Sequence, residues 1–149
     1  MAQNAAMTKQ AKGSAPNSIA ADPSKWSEQS KQSVAFHFKR NYVDEPYDCR
    51  RCGAPCVFTA QDQKYTFEIK KASIDQRRRW CAACWSEAHQ LRVAMNERDS
   101  RWAVEKSTLQ ADRDFLSGWL ELMTRWKQFE PYKQDVAKIN MLRGLLGLE

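Results

Sequence analysis

Two Cys-x-x-Cys pairs, a C-terminal half dense in helix formers, and a polar opening stretch set the fold class of this 149-residue chain. Together they predict a small zinc-ribbon or zinc-knuckle module followed by an α-helical region of two to three helices, with a disordered N-terminal tail. The expected boundaries are 1–33 for the tail, 34–88 for the ribbon-like domain and 89–149 for the helical region.

The tail comes first. Residues 1–33 are rich in Ala, Ser, Gln, Asn and Lys and hold a single aromatic residue, Trp26. Such a composition buries too little apolar surface to offset chain entropy, so disorder is expected. The stretch lacks the apolar core of a signal peptide. No segment reaches the 18 or so apolar residues of a membrane span. The expected location is cytoplasmic, where thiols stay reduced and paired cysteines bind metal rather than each other.

The pairs are Cys49-Arg-Arg-Cys52 and Cys81-Ala-Ala-Cys84, with 28 residues between Cys52 and Cys81. Two residues between cysteines let both thiolates of a tight turn face one ion, and two such turns complete a tetrahedron. One structural Zn2+ is the ion that suits four thiolates, with Cys49, Cys52, Cys81 and Cys84 as ligands. The gap exceeds the usual spacing of about 15–20 residues, which is tolerable because loop closure costs grow only logarithmically with length. Cys56 is a fifth cysteine, expected to pack as a small hydrophobe beside Val57 and Phe58, with exchange for Cys52 the alternative. His37 and His89 are not needed as ligands.

Gly53 follows the first pair, where a knuckle turn needs positive φ. Thr59-Ala-Gln-Asp62 has the form of a capping box and predicts a helix from Ala60 to about Ala72. The alternation of Tyr65, Phe67 and Ile69 offers a strand from Lys64 to Lys70 as the competing reading. Residues 49–84 carry eight Lys/Arg against three Asp/Glu, whereas residues 85–149 carry ten of each. Zinc with four thiolates contributes a formal −2, leaving the metallated segment only modestly basic. Arg50, Arg51, Lys64, Lys70, Lys71, Arg77, Arg78 and Arg79 are the candidate nucleic-acid contacts. The three consecutive arginines beside Trp80 could grip phosphate and stack on a base.

Cys49-x-x-Cys52-Gly53, Val57-Phe58-Thr59-Ala60, Gln63, the aromatic stretch after it and Cys81-x-x-Cys84 resemble the probable zinc-ribbon domain family of bacterial proteins. The resemblance covers 49–84 and implies that the four paired cysteines are the metal ligands. Family members commonly carry a proline before the second pair, where this chain has Arg77-Arg78-Arg79-Trp80. Some members place the ribbon beside a cold-shock domain, which implies a link to nucleic acid; no cold-shock segment is present here.

From Ala82 to Phe129 there is no proline and only one glycine, Gly118. Ala88, Met95, Trp102, Leu109, Leu116 and Met123 form one apolar heptad register, while its companion is polar through its middle. That pattern favours two helices folding back near Ala111–Asp114 over a long coiled coil. The second helix, from about Asp114 to Phe129, is unusually apolar. Pro131 suits the first turn of a last helix.

A closed four-thiolate site leaves no open coordination position for catalysis, and no nucleophile triad or phosphate-binding loop is present, so the chain is expected not to be an enzyme. The leading expectation is a zinc-held module that binds nucleic acid, DNA or RNA. The alternative is a protein-interaction or scaffold module, acting on a partner or a second copy through its Trp-rich helices, with no membrane role. A rubredoxin-like iron centre fits poorly, because Trp85 stands where such centres carry a second glycine.

Overall fold

The computed structural model describes residues 17–149 and divides the chain into two compact units. The division interleaves along the sequence. The first unit holds residues up to Tyr47 together with Pro55–Arg78, and the second holds Asp48–Ala54 together with Arg79–Glu149. This differs from the expected boundaries at 33 and 88, since the first knuckle belongs with the helices.

In the first unit, β1 (Ile19–Ala20) pairs antiparallel with β2 (Asn41–Tyr42), with Ile19 opposite Tyr42. A 3-10 turn (Pro23–Lys25), α1 (Glu28–Lys31) and α2 (Ala35–Phe38) lie between them. β3 (Glu45–Asp48) and β4 (Pro55–Phe58) form a second two-stranded sheet, and α3 (Ala60–Lys64) follows. Thr59 caps α3, its hydroxyl accepting from the Asp62 amide at 3.1 Å as the capping box predicts. The expected helix then widens into a π turn over Tyr65–Ile69. That widening brings two successive residues, Phe67 and Glu68, inward together.

The expected disorder of residues 1–33 does not hold for residues 17–33. Residues 1–16 lie outside the described residues. Residues 17–33 form β1, the 3-10 turn and α1. Trp26 is 2% exposed and packs in a core with Tyr42, Phe58, Ala60 and Phe67. Its indole N–H donates to the Tyr42 hydroxyl at 2.8 Å, and that hydroxyl donates to Glu68 at 3.0 Å. Glu68 also accepts from the Asp22 amide at 2.8 Å and pairs with Lys64 at 2.9 Å. Buried Ser30 accepts from the Ile74 amide at 2.9 Å. One large aromatic and a few well-placed polar groups anchor a stretch whose average composition reads as tail.

The second unit is built on α4 (Ala82–Leu109), α5 (Arg113–Trp126) and α6 (Val136–Leu146). α4 breaks its regular geometry at Glu105 (φ −116°, ψ 23°). The reversal falls at residues 110–112, close to the expected Ala111–Asp114, and Asp112 caps α5 by accepting from the Phe115 amide at 3.0 Å. Leu109, Phe115, Leu116, Trp119, Met123, Leu142 and Leu146 form the core, with Met95 and Trp102 packed against it. The apolar heptad register is therefore the buried seam. Pro131 does not open the last helix. Asp135 does, its carboxylate accepting from the Lys138 amide at 3.0 Å, so capping decides the start four residues later.

Candidate metal centre

The four paired cysteines meet at one point in the second unit. Their Sγ atoms all lie within 4.8 Å of one another, and Cys52 and Cys81 are 3.8 Å apart. A tetrahedral ion with zinc–sulfur bonds of about 2.3 Å requires sulfur–sulfur edges of about 3.8 Å, so the cluster fits zinc in size and donor type. Cys49 and Cys84 are buried, Cys81 is half-buried and Cys52 is exposed.

Each pair is shaped by its own local chemistry. The first pair sits in a turn where the Gly53 amide donates to the Cys49 carbonyl at 2.8 Å and the Cys49 amide donates to Ala54 at 2.9 Å. Gly53 takes φ +73°, the left-handed conformation that glycine adopts without steric cost. The second pair opens α4. Cys81 is its N-cap, and the Cys81 sulfur accepts from the Cys84 amide at 3.4 Å. The Arg50 amide donates to the Arg79 carbonyl at 2.8 Å and ties the two turns together.

The thiols are not equivalent. Burial pushes Cys49 up, but the backbone amides of Cys52, Cys81 and Arg51 outweigh it and hold the thiol down at about 6. Cys84 is pushed up to about 12, chiefly by burial and then by hydrogen bonding to Cys81, against the lowering effect of Arg51.

A knuckle that supplies two sulfurs and a helix N-terminus that supplies two more define a treble-clef arrangement. Residues 43–92 match the family model described as a probable treble clef domain. This segment is similar to that family, and its four clustered cysteines are positioned to bind a metal ion. No curated protein and no solved structure matches the chain. The ribbon-like expectation thus holds for the ligands and the first knuckle, and the second knuckle takes its form from α4. The four cysteines are placed to hold one metal ion in a closed site of the kind zinc occupies for structural purposes.

Cys56 lies half-buried on β4 in the first unit and is not one of the four clustered cysteines. His37 stacks edge-on against Phe36 at 5.5 Å. His89 lies parallel to Trp85, with ring centroids 5.3 Å apart and 2° between planes.

The eight basic candidates divide between the units, and most are engaged within them. In the second unit, Arg51 lies 3.8 Å from the Cys84 sulfur and 3.5 Å from Glu87, and Arg79 pairs with Glu130 at 2.7 Å. In the first, Lys64 pairs with Glu68, Lys70 lies over the Tyr65 ring, and Lys71 donates to the Lys25 carbonyl. Arg78 stacks 4.3 Å above the Phe58 ring and donates to Thr66. Arg50 and Arg77 are exposed, and their side chains have no ion-pair partner among the described residues. The Arg77–Arg79 run is therefore not a uniform patch. Its three side chains go to solvent, to Phe58 and to Glu130.

Sequence reading missed an aromatic cluster in the second unit, where Trp80 packs against Trp126 at 6.3 Å and Phe129 at 5.5 Å. Their partnership spans more than 40 residues and leaves no local periodicity. A separate hollow of about 170 Å³ lies among α4, α5 and the approach to α6, lined by Met95, Met123, Trp126 and Ile139 together with Lys133 and Lys138.

Proposed function

We propose that the protein is a non-catalytic binding module, held together by zinc, that captures a protein surface through the exposed face of α4. The observation that carries this reading is the line of Trp85, His89 and Val93, spaced i, i+4, i+8 on one helical face. Trp85 is 51% and Val93 52% exposed. An aromatic pair already stacked in the free protein loses little freedom on binding, which is what an interface anchor needs. The four thiolates close the coordination sphere, so the ion organises the fold and leaves no position for substrate. A cytoplasmic, reducing setting would keep those thiols available for metal.

Nucleic-acid binding is the second reading, favoured by the free guanidinium groups of Arg50 and Arg77. Electrostatics weigh against it. The second unit carries thirteen Lys/Arg against eleven Asp/Glu, and a four-thiolate zinc centre cancels that excess.

The deciding experiment measures zinc-loaded protein in two assays. Sedimentation across a concentration series, with Trp85→Ala and Val93→Asp alongside, tests self-association as the simplest protein contact. Fluorescence anisotropy with short single- and double-stranded DNA and RNA at 50 and 150 mM salt tests the other reading, with Arg50→Ala and Arg77→Ala. The proposal expects association that resists salt and is lost in the α4 variants. Micromolar nucleic-acid binding that falls steeply with salt and weakens in the arginine variants would replace it with the second reading.

A further inference from the structure

Arg51 stands between the two cysteines of the first knuckle, yet its side chain turns inward. Its guanidinium reaches the Cys84 sulfur at 3.8 Å, Glu87 of α4 at 3.5 Å and Gln128 at 3.0 Å, and lies 5.0 Å from the centre of the Phe129 ring. Gln128 and Phe129 belong to the turn that ends α5.

We propose that Arg51 is a positioning residue that couples occupancy of the metal centre to packing of the α5 C-terminal turn. A four-thiolate zinc centre carries a formal −2, and a cation against one of its sulfurs offsets part of that charge. Donation to a ligand sulfur orients it and tunes its hold on the ion, as outer partners of metal ligands do. Arginine suits the task because its planar fork spreads five N–H donors in fixed directions, whereas an ammonium is a compact point charge. Its Glu87 partner is shared with Arg125, also at 3.5 Å, so the same carboxylate receives a donor from α5. Arg79–Glu130 and the Trp80–Phe129 contact run beside this link, from the approach to the second pair to the same turn.

Binding linkage makes the coupling reciprocal. If the ion strengthens the hold of Arg51 on the turn, the intact turn strengthens the hold on the ion by the same factor.

The test uses the full chain with Arg51→Ala and Arg51→Lys. Zinc affinity is read by competition with a chromogenic chelator, and order of the turn by amide hydrogen exchange over residues 123–130. In Arg51→Ala, zinc should bind about 10–100-fold more weakly, the range for loss of an outer partner of a metal ligand. Arg51→Lys should recover part of that loss. Exchange at 126–130 should accelerate in the zinc-loaded Arg51→Ala protein and approach that of chelated wild type. A loss of affinity below about fivefold, or unchanged exchange at the turn, overturns the proposal. If Arg51→Ala does not fold, Arg51→Lys decides: a loss of about threefold or more with faster exchange supports the coupling, and anything less overturns it.

Discussion

The Tyr42 hydroxyl accepts from Trp26 and donates to Glu68, so a single oxygen satisfies two buried groups from distant parts of the chain. Tyr42→Phe would leave the Trp26 N–H without its acceptor, and should cost about 1–3 kcal/mol, read from denaturant unfolding of the first unit. Glu68 gives this network a pH dependence. Burial pushes its carboxyl up, but the Asp22 amide, Lys64 and Tyr42 outweigh burial and hold it below its ordinary value of 4.5. A carboxylate lowered in the folded state stabilises the fold above its unfolded pKa, and that contribution is lost as pH falls through the folded value. The first unit should therefore lose stability below about pH 4.5, and Glu68→Gln should flatten thermal-melt profiles in that window. At the knuckle, nothing lies within 4 Å of a side chain built on Gly53, yet its φ of +73° remains costly for any other residue. Gly53→Ala should destabilise the zinc-loaded protein by about 1–2 kcal/mol in the same assay. Residues of this kind differ in how plainly the sequence announces them. The cysteine spacing did so because both members of a pair sit in one turn. Arg51 did not, because its acceptor Gln128 is 77 residues away.

At the scale of elements, capping explains most of the agreement with sequence and packing most of the departures. Thr59 and Asp112 mark helix starts through short-range hydrogen bonds that a local pattern encodes. The π turn at 65–69 was not legible, since no local pattern marks the widening that buries Phe67 and Glu68 together. The strand reading of Lys64–Lys70 failed for the same reason: the alternation of Tyr65, Phe67 and Ile69 ends with Tyr65 and Ile69 exposed. On α4, Trp85 and Val93 contribute to surface rather than to core. Trp85→Ala and Val93→Asp should each change folding stability by no more than about 0.5 kcal/mol in thermal melts, while removing the association proposed for that face.

For the whole molecule, chain composition gave two useful answers and one misleading one. A helical C-terminal half and a four-cysteine metal site were legible because both depend on repeated local spacing. Residue counting overstates the free charge of the basic segment, because it cannot see Glu87, Glu68 and Glu130 closing on Arg51, Lys64 and Arg79. Chelation offers the broadest check. Removing zinc should loosen the second unit, seen as loss of near-ultraviolet circular dichroism from the Trp80, Trp126 and Phe129 cluster, and restoring zinc should return it.

The interleaved sequence of the two units also sets an order of events during synthesis. Cys49 and Cys52 leave the ribosome first, but 28 further residues must emerge before Cys81 appears. Those residues include Pro55–Arg78, which belong to the other unit. The first knuckle therefore waits as an open dithiol while its neighbour in sequence has all the material it needs to fold. No single cut in the chain separates the units: residues 1–78 keep the first knuckle, and residues 48–149 keep Pro55–Arg78. A fragment starting at Arg79 holds the three long helices but half of the sulfur ligands, so dissection of this protein calls for rejoining the chain ends rather than trimming them.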